Sequence, residues 1–195
     1  MAASEESKDY VHRLMTSLGT IPGIQPTEMV TNIYPFEIGY NSYNVNTSLA
    51  AELAYKPNIL VMSIGENTEQ YLTTQQARTD FRNRLTSLMT TFKTLDSHPK
   101  IFVRSCFWTD RPNADAAMAL SAADVGATFV SLGNIATWSN MAGGEGRYLD
   151  NLGIATHPGD AGMLAISNIL IYGHSTDARA RAGILLGAKR IGTRR

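Results

Sequence analysis

The chain has 195 residues, with 17 Lys and Arg against 17 Asp and Glu, 44% hydrophobic and 8% aromatic residues, and a single cysteine. That length suits one globular domain with a core of ordinary size, and a formal charge of zero leaves no chain-wide field for gripping phosphate backbones or acidic membranes. Nucleic acid and membrane are therefore not expected as partners, and the lone Cys106 can form neither an internal disulfide nor a thiolate cluster. His12, His98 and His174 lack metal-ligand spacing, so no metal and no cofactor is expected. No window approaches the roughly 20 apolar residues of a membrane span. The start, MAASEESKDY, lacks the basic and apolar regions of a secretory signal. As written the chain reads as untargeted and cytoplasmic, unless a signal peptide was lost with the N-terminus.

Tyr10, Val11, Leu14, Met15 and Leu18 recur at three and four, which predicts an amphipathic helix over 5–18 with Ser4 as N-cap and Gly19 as stop. A loop with Pro22, Gly23 and Pro26 follows, and then the β-branched stretch 29–33, which predicts a strand ended by Pro35. Val45, Leu49 and Leu53, with Ala50 and Ala54, share one side of a helix over 45–55 that Pro57 stops. The apolar run 58–64, bounded by Pro57 and Gly65, has the character of a central parallel strand covered on both faces. Ala77, Phe81, Leu85, Leu88 and Phe92 predict a long amphipathic helix over 74–92. Residues 100–106 (KIFVRSC) and 127–132 (ATFVSL) predict two further buried strands, separated by an Ala-rich helix over 114–123. A last helix is expected over 160–171. After Asp177, Arg179, Arg181, Lys189, Arg190, Arg194 and Arg195 stand without an acidic residue, and the chain divides into a domain over 1–172 and a basic tail over 173–195.

Alternation of helix and strand is the pattern of an α/β sandwich with a parallel sheet, in which ligands sit at the carboxyl ends of the strands. Two segments there stand out. In Gly65-Glu66-Asn67-Thr68 glycine permits close backbone approach, and the Asn67 amide can aim an N–H at an oxygen on which negative charge develops. Glu66 is placed either to hydrogen-bond a substrate hydroxyl or to face water. In His157-Pro158-Gly159-Asp160 a histidine precedes a helix whose first turn carries proline and an acid, a junction that aims an imidazole as a general base. Trp108 and Arg104 flank the end of the 100–106 strand, where lining a cleft and packing in a core are both open. Cys106 reads as a small buried hydrophobe.

Together PNILVMSIGENT (57–68) and THPGDAGM (156–163) resemble the third and fifth signature blocks of the SGNH hydrolases, also called GDSL lipases and esterases. The resemblance implies a three-layer α/β/α sandwich with a parallel, flavodoxin-like sheet. It also implies a soluble serine ester hydrolase acting by acyl transfer on small esters or acetylated carbohydrates. Carried over by position, Asn67 takes the oxyanion-donor role and His157 the base role. Gly65 opens the third block. The oxyanion glycine belongs to the second block, for which Gly39 in EIGYNSYN is a poor substitute.

Two departures accompany the resemblance. The family's aspartate three residues before the histidine is Ile154 here, so the imidazole is oriented either by a backbone carbonyl, in a Ser-His pair, or by Asp150. The first block, a strand ending in Gly-Asp-Ser or Gly-Asn-Ser, has no counterpart in the sequence. Asn41-Ser42 lies too close to Asn67, and Ser4 has no strand before it. Met1-Ala2-Ala3-Ser4 then reads as the helix that follows the nucleophile loop, and the first, central strand of the sheet is missing. A chain so reduced must repair the gap, self-associate as a homo-oligomer, or be marginally stable. The one spare apolar run for a repair is 183–186. A catalytically inactive SGNH-like binding or interaction domain is the alternative reading.

Overall fold

The structure, a computed structural model, describes residues 2–172. The expected basic tail and the run 183–186 lie outside the described residues. Mixed α and β structure organises the chain into two compact units, one of residues 2–28 with 132–172 and the other Met29–Ser131. Each unit is described by itself.

In the first unit helix α1 (Tyr10–Gly19) buries Leu14 and Leu18 and ends at the expected glycine. Its cap is Asp9, not Ser4: the Asp9 carboxylate accepts the His12 N–H at 2.9 Å. Ser4 is separated from the helix by a short 3₁₀ turn, Glu6–Lys8, and is used elsewhere. The Asp9 carboxylate also meets His12 Nδ1 at 2.9 Å, and Glu6 and Glu28 lie 3.5 and 3.4 Å from Nε2. The Asp9 hydrogen bond, with the charges of Glu28 and Glu6, holds His12 above the usual imidazole range against the opposing effect of desolvation.

The second unit opens with residues 29–33, which form no strand. Met29 and Val30 are 46% and 67% exposed. β-branching favours a strand only where a ladder partner and a covering face exist; among the described residues this stretch has no ladder partner, and of its apolar residues Ile33 is the one packed against the core. Pro35 does not end a strand but sits in the first turn of helix α2 (Tyr34–Gly39), where its missing N–H costs nothing. The expected helix over 45–55 is two short ones, α3 (Val45–Ser48) and α4 (Ala50–Tyr55), separated at the buried Leu49, whose φ of −120° and ψ of 30° leave the helical region.

Strands β1 (Ile59–Met62), β2 (Lys100–Arg104) and β3 (Thr128–Val130) form a parallel sheet in that order. Ile59 is opposite Lys100 and Phe102 opposite Thr128. The expected central strand β1 is thus an edge among the described residues, and β2 is the middle strand. Burial agrees: three of the four β1 residues are only half-buried, whereas four of five in β2 are buried.

Helix α5 (Gln75–Lys93) is capped by Thr74 and buries Phe81, Leu85, Leu88, Met89 and Phe92. Helix α6 (Pro112–Val125) packs against α5 and reaches β2 and β3. Its buried Ala114, Ala117 and Ala122 permit that approach, and Gly126 ends it in the left-handed region at φ 63°. Arg82 on α5 holds Asp124 on α6 through bonds of 2.8 and 2.6 Å. One apolar core joins these helices to Phe36 of α2 and Tyr40 just after it, to Met62 and Val103 of the sheet, and to Ile64 and Cys106 just beyond its strands.

The chain then returns to the first unit with α7 (Leu152–Ala155) and α8 (Asp160–Tyr172). Helix α8 packs on α1 and buries Ile166, Ile169, Leu170 and Ile171. No helix among the described residues is long and apolar enough to cross a membrane.

Candidate functional site

At the carboxyl end of β1 the backbone turns at Gly65 with φ 101°, a conformation that disfavours any side chain. Space gives a second reason for glycine, because a Cβ there would lie 2.8 Å from Met118 Cε and 2.9 Å from Cys106 Sγ. The turn directs two backbone N–H groups at one carboxylate. Glu37 Oε1 accepts from Gly65 N at 2.6 Å and from Asn67 N at 3.4 Å, while Glu37 Oε2 accepts from Asn67 Nδ2 at 2.8 Å. Glu37 is 6% exposed, whereas Asn67 is exposed.

Glu66 points the other way. Its Oε1 accepts from Arg104 Nη1 at 3.0 Å and from Phe107 N at 2.6 Å. Arg104, at the end of β2, also donates Nε to Ser63 Oγ and Nη1 to the Ser105 carbonyl, both at 2.8 Å. The Glu66–Arg104 pair is nearly dry, its side chains 14% and 9% exposed. Arg111 donates to the Glu66 carbonyl at 2.8 Å and lies 5.9 Å from the Trp108 ring centre. Trp108 is half-buried against Phe107 at 5.8 Å. Gly65, Glu66, Asn67 and Arg104 are therefore gathered by hydrogen bonds at the ends of β1 and β2, with Trp108 beside them through its contacts with Phe107 and Arg111. Cys106 lies buried beneath it, and desolvation first, with Glu66 and Asp115 nearby, pushes its thiol far above the usual range, so it stays protonated.

Gly39, by contrast, is the last residue of α2. A Cβ there would meet only Ser42 Oγ, at 3.7 Å, so nothing in its surroundings demands glycine. Its carbonyl accepts from Ser42 N and Oγ at 3.0 and 3.2 Å, which gives the Ser42 hydroxyl a turn-closing job.

His157 belongs to the other unit. Backbone bonds fix its segment: His157 N donates to the Ile154 carbonyl at 3.0 Å, and Ala142 N donates to the His157 carbonyl at 2.9 Å. Nδ1 lies 2.6 Å from the Gly153 carbonyl oxygen. A carbonyl only accepts, so Nδ1 carries the hydrogen and the neutral ring has its basic lone pair on Nε2. Asp150 sits on the exposed turn before α7, and the contact to Nδ1 is made by Gly153.

Directly after His157, Asp160 opens α8 and accepts from Ser4 N at 2.8 Å and Ser4 Oγ at 2.7 Å. Lys8 and Arg147 each approach it to 3.2 Å. Arg147 also binds Glu145 and donates to the Ala2 carbonyl at 2.6 Å, and Glu145 Oε1 caps α8 through Ala161 N at 2.8 Å. The Ser4 hydroxyl hydrogen is thus committed to Asp160. Burial works against ionisation of Asp160, but the Ser4 and Lys8 hydrogen bonds and the Arg147 charge prevail and bring it down to about 2 from an ordinary 3.8. A carboxylate depressed in this way stabilises the folded chain fully above about pH 4 and progressively less as the pH falls towards about 2. Asp160→Asn is expected to flatten the melting temperature across that window, as read by circular dichroism, and to leave its slope above pH 5 unchanged.

The sequence singles out Asn67 and His157 as candidates and offers a backbone carbonyl as one holder of the imidazole, but it points neither to Glu37 nor to Gly153 in particular. Glu37 had one usable signal, an acid flanked by Phe36 and Tyr40 at the spacing of a buried helix face. No family model, curated protein or solved structure matches the chain.

Proposed function

We propose that the chain carries the general base and the oxyanion donor of an SGNH-type ester hydrolase acting on small esters or acetylated carbohydrates. In this reading the parallel sheet is part of a three-layer, flavodoxin-like sandwich. The observation that carries it is the 2.6 Å contact of His157 Nδ1 with the Gly153 carbonyl, which presets the tautomer a base needs in the absence of an acid at position 154. In the acyl-transfer step Nε2 of His157 takes the proton of an attacking serine hydroxyl, and the resulting imidazolium returns it to the leaving alcohol. The second Nδ2 hydrogen of Asn67 meets the oxyanion of the tetrahedral intermediate. The reading requires a serine nucleophile, and neither Ser4 nor Ser42 is assigned to that role, because Ser4 donates to Asp160 and Ser42 to Gly39.

Release of p-nitrophenol from p-nitrophenyl acetate tests the reading. Asn67→Ala is expected to reduce kcat by about 10²–10³-fold, and equal turnover in wild type and variant overturns the assignment. Binding of acetylated oligosaccharides in isothermal titration, without release of acetate by the same protein, supports the inactive binding domain instead.

A further inference from the structure

Glu37 is a buried carboxylate spent on an exposed side chain. Its three bonds all come from the loop after β1: Gly65 N at 2.6 Å, Asn67 N at 3.4 Å and Asn67 Nδ2 at 2.8 Å. The backbone N–H of buried Gly65 needs an acceptor, and a neutral amide or a carbonyl would serve it. The Asn67 side chain is exposed, and water could satisfy it. Stability alone therefore does not call for a charge that reaches both.

What the carboxylate does supply is direction. Both of its oxygens only accept, so it fixes which end of the Asn67 amide faces inward. Nδ2 must turn to Glu37, one of its hydrogens is held at Oε2, and the other is aimed away from Glu37. A glutamine at the same place would behave differently. Its Oε1 would be drawn to Gly65 N–H, its Nε2 would then face Nδ2 of Asn67, and two donors would oppose each other. Asn67 would relieve that by flipping, placing Oδ1 inward and moving its N–H groups off their former line.

We propose that Glu37 is the positioning residue of Asn67, setting the amide orientation from which the second Nδ2 hydrogen is presented to a substrate oxygen. This rests on the reading of Asn67 as oxyanion donor, but the orientation can be measured without turnover. Glu37 acts through geometry and not through potential, because a negative charge beside a developing oxyanion opposes it. The sign of the effect then separates the two influences. Removing the charge with Glu37→Gln would raise kcat if potential governed the site, and lowers it if alignment does.

The first measurement is hydrogen exchange at the Asn67 side-chain amide by ¹⁵N-resolved NMR. In the wild type one Nδ2 hydrogen is expected to exchange about tenfold or more slowly relative to the other, the protection of a charge-assisted bond. In Glu37→Gln both exchange fast. Equal fast exchange in the wild type overturns the proposal with no variant needed, and so does unchanged asymmetry in Glu37→Gln. The second measurement is p-nitrophenyl acetate turnover. Glu37→Gln is expected to lower kcat about tenfold with KM unchanged, and to have no further effect in an Asn67→Ala background, where a merely structural role would still add its loss. Asymmetric amide exchange abolished by Glu37→Gln, in a protein that releases no acetate, would uphold the positioning and refute the esterase reading.

Discussion

His157→Ala is expected to lower kcat/KM for p-nitrophenyl acetate by about 10²–10⁴-fold, the usual worth of a positioned general base. The size follows from the tautomer. With Nδ1–H engaged by the Gly153 carbonyl at 2.6 Å, Nε2 is the basic nitrogen of the neutral ring, and alanine offers no other base at that place. His157 is exposed and its main-chain bonds to Ile154 and Ala142 do not involve the side chain. Loss of the Gly153 hydrogen bond should cost folding about 0.5–1.5 kcal/mol. Initial rates beside thermal melts separate the two effects. Turnover that survives the substitution would remove His157 from the chemistry.

Arg104→Ala should cost far more in folding, about 3–5 kcal/mol. The guanidinium is 9% exposed and its partner Glu66 is 14% exposed, so deletion leaves a carboxylate in dry surroundings with the Phe107 N–H as its remaining hydrogen bond from the pair's cluster. The same deletion removes one hydrogen bond each from Ser63 Oγ and the Ser105 carbonyl. Against a typical margin of about 5–15 kcal/mol such a loss is a large share of total stability. Arg104→Met combined with Glu66→Gln removes the orphaned charge as well and should recover part of the loss, because most of the single-variant penalty is the unpaired ion and not the forgone attraction. Urea midpoints of the two proteins provide the check. A double variant no more stable than Arg104→Ala would show that the pair itself, and not the orphan, carries the energy.

Long periodic segments were legible in the sequence. Helices α1, α5, α6 and α8 and strands β1, β2 and β3 all fall within or beside the predicted stretches, because their apolar spacing is enforced by burial. The failures have a common origin in what lies across from a segment. Residues 29–33 carry strand-forming side chains, but strand formation is a property of a pair, and the sequence does not reveal whether the pair exists. Pro35 was ambiguous between ending one element and starting another, and its helical role depended on Phe36 and Tyr40 finding the core. The candidate site divides in the same way. Asn67 and His157 were recognisable because each stands at the junction of an apolar run with a loop. Glu37 was not, since its value lies in reaching a loop distant in sequence. The Gly153 carbonyl could not be, because every residue has one.

That carbonyl belongs to the four-residue helix α7. The carbonyls of a helix's last turn have no partner within the helix, so the imidazole of His157 closes the end of α7 with the same bond that orients the ring. Helix α7 is short, and Leu152 and Ile154 are 67% and 37% exposed, which places it among the segments that open most readily in a folded protein. On the proposed reading, the fraction of molecules with a correctly oriented base is the fraction with α7 closed, and apparent activity would scale with that population. Temperature or mild denaturant would lower it well before the core melts. The oriented base would thus be governed by a local folding equilibrium, and substitutions in α7 that touch no substrate would act as adjustments to the number of working molecules.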